Sequence, residues 1–137
     1  MKKLAFITGM ILLSEFAFGQ NIQKGNLIGT HIMTVTLKPG VTMEKFMDVF
    51  NTKAIPEMEK NIPNWKIYLL KGIRGENNNS FGLLFVIKSA QDRDKYYNAD
   101  GSDTELGKSL GAKLKPLDDE LGKFGTWTSK STDWIVQ

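Results

Sequence analysis

The sequence predicts an α+β domain in the order strand, helix, strand, strand, helix, strand: a four-stranded antiparallel sheet with its helices on one face. Three patterns support this. A β-branched stretch alternates from Thr30, apolar residues recur at helical steps from Met43, and two strand-like runs flank an Asn-rich turn. A chain of 137 residues is of single-domain length, and a domain of that size can bury a core without disulfides or a structural metal.

The first strand reads Thr30-His31-Ile32-Met33-Thr34-Val35-Thr36-Leu37. Its period of two sends His31, Met33, Val35 and Leu37 to one side and Ile32, Thr34 and Thr36 to the other. Lys38-Pro39-Gly40 makes a turn, and Thr42 is placed to cap the helix that follows. Phe46, Met47, Phe50, Ala54 and Met58 give that helix an apolar stripe. Pro56 falls within the stripe and is expected to kink the helix, or to end it and open a short piece running to Asn61.

Trp65–Ile73 and Phe81–Lys88 form a hairpin around residues 74–80. Ser89 is a candidate cap for a second helical region starting at Ala90. That region is expected to break at the loop 98–103, resume over 104–113, break again at Lys115-Pro116 and end with 117–124. After Gly125 a last strand runs from Thr126 to Val136. This order is that of the ferredoxin-like fold. The third strand adds a further expectation, because Phe81, Leu83, Phe85 and Ile87 are apolar on one side while Leu84 and Val86 are apolar on the other. Two helices cover one face only, so a homodimer is expected to cover the second.

Residues 1–19 have the parts of a bacterial Sec-type signal peptide: Lys2 and Lys3, an apolar run from Leu4 to Leu13, and small residues at Ala17 and Gly19. The apolar run is too short to span about 30 Å of hydrocarbon. No cysteine follows it, which excludes a lipoprotein. The expected product is periplasmic or secreted, begins at Gln20, and consists of a polar lead over 20–27 and one domain over 28–137. No membrane insertion is expected after cleavage.

Composition removes several chemistries. With no cysteine and one histidine, thiolate metal sites, iron–sulfur clusters, cysteine nucleophiles and sites needing two imidazoles are excluded. Without Lys2, Lys3 and Glu15, the 18 basic and 15 acidic residues leave a net charge of +2. Lys and Arg gather on no one stretch, so nucleic acid is not an expected partner. Residues 92–105 do not meet the spacing of a calcium loop, and no glycine-rich loop joins a strand to a helix. No cofactor and no metal are expected.

The segment His31-Ile32-Met33-Thr34-Val35-Thr36-Leu37-Lys38-Pro39-Gly40, followed by a helix, resembles the opening of dimeric α+β barrel proteins. It is most similar to the stress-responsive barrel and antibiotic-biosynthesis-monooxygenase-like groups. In element order the resemblance extends from about Ile28 to Val136. It implies a barrel closed across a dimer and a ligand held between sheet and helices. Members of the family include oxygenases that act on polycyclic phenols without metal or flavin, and others that degrade haem. The haem-degrading members place a histidine on the second helical region and an asparagine on the first strand. Residues 89–124 contain no histidine and residues 31–37 no asparagine. The cofactor-free oxygenases use asparagine, tryptophan and tyrosine, for which Asn51, Trp65 and Tyr68 are the counterparts in type.

His31 titrates near neutral pH and is the candidate catalytic base. The competing reading, which the residue pattern favours, is a strand-end histidine bonded to backbone or water. Met33, Phe50, Trp65, Tyr68 and Tyr97 are the candidate ligand-binding residues, with ordinary core or interface packing as the competing role. The expected function is an exported small dimeric α+β barrel that binds a small apolar or aromatic ligand between sheet and helices. The alternatives are a cofactor-independent oxygenase or isomerase using His31 with Tyr68 or Trp65, and a non-catalytic envelope interaction protein.

Overall fold

The computed structural model describes residues 21–78 and 80–137. The expected signal peptide, residues 1–19, and Gln20 lie outside them. The elements are β1 (Leu27–Leu37), α1 (Met43–Val49), a π-helical turn (Phe50–Ala54), α2 (Ile55–Asn61), β2 (Trp65–Lys71), β3 (Phe81–Ile87), α3 (Ala90–Asp94), α4 (Glu105–Leu121) and β4 (Gly125–Ile135). The four strands form one antiparallel sheet in the order β2-β3-β1-β4, as in the ferredoxin-like fold. β1 pairs with β4 from Leu27↔Ile135 to Leu37↔Gly125. It begins at Leu27, inside the expected polar lead, because Leu27 pairs with both Ile87 and Ile135 and is buried in the core.

One face of the sheet carries the core. Leu27 and Met33 of β1, Ile67 of β2, and Phe81, Leu83, Phe85 and Ile87 of β3 join Phe46, Val49, Phe50, Ala54, Ile55 and Leu121 from the helices. The strand members follow the period of two, which sets His31 on this helix-covered face. Thr42 Oγ1 accepts from the Lys45 amide at 3.2 Å and caps α1, and Ser89 Oγ accepts from the Asp92 amide at 3.2 Å and caps α3.

Pro56 opens a short helical piece that runs to Asn61, as expected from sequence, whereas Pro116 does not break its helix. Ahead of Pro56 the chain widens into the π-helical turn, where the Ile55 amide donates to the Phe50 carbonyl. Pro56 then stands in the first turn of α2, where a missing N–H is tolerated. Pro116 lies inside α4, which runs unbroken from Glu105 to Leu121 in place of the two expected pieces. The missing Pro116 amide deprives the carbonyl of Ala112, an exposed residue, of its helical donor. Water can serve that carbonyl, while Leu110 and Leu121 hold the helix to the protein on its other side.

The opposite face of the sheet has no helix on it. Ile28, Tyr68, Leu70, Leu84, Val86 and Trp134 lie there by strand register. Val86 is already buried among its neighbours, but Tyr68 and Leu70 are each 40% exposed and Trp134 is 60% exposed, so the rest of this apolar face is uncovered.

Candidate functional site

Between the sheet and the helices lies a cavity of about 300 Å³. Its floor is Gly29, His31, Phe85 and Ile87 of the sheet; Met58, Ile62, Leu110 and Leu114 come from the helical side; Trp65, Arg93, Tyr97 and Asp133 close the end. Gly29 gives the floor its depth. A Cβ there would point at Asp133 Oδ1 and Phe85 Cβ, at 3.3 and 3.4 Å.

His31 sits in the middle of β1, opposite Ser131 of β4 and Leu83 of β3. Its ring leans on Phe85, with centroids 4.7 Å apart and planes at 55°. Burial pushes the imidazole below its ordinary pKa of 6.5, and the Asp133 carboxylate draws it partly back. A neutral imidazole at pH 7 keeps one nitrogen free to accept a proton or a hydrogen bond.

Trp65, at the start of β2, meets Phe85 and Tyr96 edge-on, each at 5.8 Å between centroids, and Tyr97 at 6.4 Å. Its indole Nε1 is buried without a hydrogen-bond partner. An unpaired buried donor costs roughly 1–3 kcal/mol; the Trp65 ring lines the cavity, while this N–H has no accessible surface on it.

Arg93 of α3 closes the site electrostatically. Its Nε meets Asp133 Oδ2 at 3.2 Å, its Nη1 donates to the carbonyl of Asn98 at 3.2 Å, and its guanidinium lies 5.4 Å from the Tyr97 ring centroid. Tyr97 also bridges to Asp103, which closes the loop between them. Burial, followed by Asp103, raises the Tyr97 phenol above its ordinary pKa and keeps it a neutral donor. Arg93 and Asp133 cancel in charge and His31 is neutral, so the site favours an uncharged guest.

A second chamber of about 170 Å³ adjoins the first, and His31, Met58 and Leu114 line both. The structure therefore gathers four of the five ligand-binding candidates around His31: Trp65 and Tyr97 line the main cavity, and Met33 and Phe50 line the side chamber. Tyr68 does not join them. It is on the uncovered face, opposite Leu84, because three residues along a strand reverse the direction of the side chain relative to Trp65. Asn51 is exposed on the π-helical turn and lines neither chamber. Sequence reasoning missed Gly29, Arg93 and Asp133. The alternation of β4 could have put Asp133 on the Trp127 side, but its meeting with Arg93 depends on β1–β4 register and on how α3 packs.

Among the described residues no group of three His, Asp or Glu side chains could hold a metal ion, and no helix is long and apolar enough to cross a membrane. No protein-family model and no curated protein matches the sequence. Among solved structures, the chain is similar to SnoaB, a cofactor-independent oxygenase from Streptomyces nogalater, at 14% identity over 82% of this chain and 94% of that one, with a TM-score of 0.48. It is also similar to a dimeric protein of unknown function and ferredoxin-like fold from Bacteroides fragilis, at 16% identity over 79% of this chain and 95% of that one, with a TM-score of 0.40.

Proposed function

We propose that the chain is an exported homodimer whose subunits each bind a small, uncharged aromatic molecule between sheet and helices. The observation that carries this reading is a cavity lined by Phe85, Trp65 and Tyr97, with His31 on its floor and no net charge. A ring of one or two cycles suits a space of about 300 Å³, the lower end of the range for ligand pockets. Phe85, Trp65 and Tyr97 supply faces and edges for stacking, and His31 accepts from a ligand hydroxyl. The test is titration with 1-naphthol, read by tryptophan fluorescence. Saturable quenching that shifts to higher ligand concentration in Gly29→Ala is the expected result. No saturable binding of 1-naphthol or of other flat, neutral phenols would overturn the reading.

A second reading, a cofactor-independent oxygenase or isomerase, is favoured by the neutral His31 with the Asp133 carboxylate nearby. Such an imidazole can take a phenolic or enolic proton, and the carboxylate steadies the imidazolium that forms. Turnover of a bound phenol that His31→Ala abolishes without loss of binding distinguishes an enzyme from a carrier. Export is tested by sequencing the N-terminus of secreted material, which on this reading starts at Gln20.

A further inference from the structure

The side chamber differs in character from the main cavity. Met33, Phe50, Ala54, Leu117, Leu121 and Trp127 make its walls, and Asp118 and Ser129 are its polar lining besides His31. An apolar cavity of about 150 Å³ takes up benzene. The space of about 170 Å³, apolar over most of its wall and polar at Asp118 and Ser129, suits a hydrocarbon group of about four to six carbons against its apolar side. The two chambers meet where His31, Met58 and Leu114 line both. Met58 is unbranched and adaptable, which suits it to yield to a chain threading past.

His31 fixes the chemistry at that junction. A ligand hydroxyl held by the imidazole lies at the border of the two chambers, so a substituent entering the side chamber must leave the ring close to that hydroxyl. We infer that the ligand is a hydroxylated ring bearing a short aliphatic chain on the carbon next to the hydroxyl, with the ring in the main cavity and the chain in the side chamber. This rests on the ring-binding reading above and adds the class of substituent and its position.

The test compares 1-naphthol with 2-alkyl-1-naphthols from methyl to decyl, and with the matching 4-alkyl isomers, on the purified full chain. Affinity in the 2-alkyl series is expected to rise about fourfold per methylene, the increment for burying one CH₂, and to level off between butyl and hexyl. The 4-alkyl isomers are expected to show no such gain. Ser129→Leu, at an exposed position of β4 that lines the side chamber only, is expected to bring the affinity ratio of 2-butyl-1-naphthol to 1-naphthol close to one. Binding of 1-naphthol with no dependence on chain length, or with equal gains for both isomer series, overturns the side-chamber inference and leaves the ring-binding reading standing. Failure of 1-naphthol itself to bind overturns the ring-binding reading, and the inference falls with it.

Discussion

His31 occupies a position that disfavours its charged form, and that has a consequence for stability. Its folded pKa lies below the unfolded value of 6.5, so below that pH the unfolded chain takes up a proton the folded one resists. The contribution is fully present above 6.5 and is lost as the pH falls from there towards the folded pKa. Thermal melts between about pH 5 and about pH 8 should show wild type losing stability on the acid side more steeply than His31→Gln. Parallel slopes would remove the imidazole from the account. Gly29 makes the complementary case by volume. A Cβ there makes contacts at 3.3 and 3.4 Å on the cavity floor, close enough to force a small shift without unfolding a strand. Gly29→Ala should weaken 1-naphthol binding about tenfold, or ~1.4 kcal/mol, and change the melting temperature little. Calorimetric titration beside a melt separates the two effects.

Among the elements, α4 carries an avoidable cost. Proline in a helix interior is about 3 kcal/mol worse than alanine, of which stiffening of the unfolded chain returns about 0.4–1 kcal/mol. Pro116 is exposed and lies inside the helix, so Pro116→Ala should stabilise the protein by about 2 kcal/mol. Chemical denaturation checks this, and a destabilised variant would mean that the Pro116 ring is needed for packing. The two prolines show how far local sequence reaches: Pro56 opens the short helix to Asn61 as its signal implies, and Pro116 does not end its helix. Pro56 and Pro116 carry the same local signal, yet one is absorbed by a widened turn and the other is held in place by Leu110 and Leu121. The strands were legible because alternation is a local property: the period of two placed His31, Met33 and both faces of β3 correctly. Applied to β2, the same rule separates Trp65 from Tyr68. The Arg93–Asp133 pair was not legible, since it joins residues forty positions apart through a register that only the folded sheet defines.

For the molecule as a whole, the question is what covers the second face. Its apolar residues are not spread evenly. Ile28, Tyr68, Leu70, Leu84, Val86 and Trp134 gather towards β2, β3 and the start of β1, whereas Thr34, Thr36, Thr126 and Thr128 hold the far end of the β1–β4 pair. Trp134 Nε1 donates to Thr30 Oγ1 at 3.4 Å, which lays the indole across the face. A patch with an apolar centre and a hydroxylated margin has the layout of an interface, with Leu84 near its middle. Under the proposed twofold pairing, each Leu84 packs near its mate across the axis, so one substitution places two like charges there. Leu84→Lys should therefore convert a dimer into a monomer. Its side chain lies on the face away from the core, so the far-ultraviolet circular dichroism should be unchanged. Sedimentation equilibrium measures the outcome directly. A wild-type chain that sediments as a monomer at micromolar concentration would rule out the dimer, and a Leu84→Lys variant that still pairs would move the interface elsewhere.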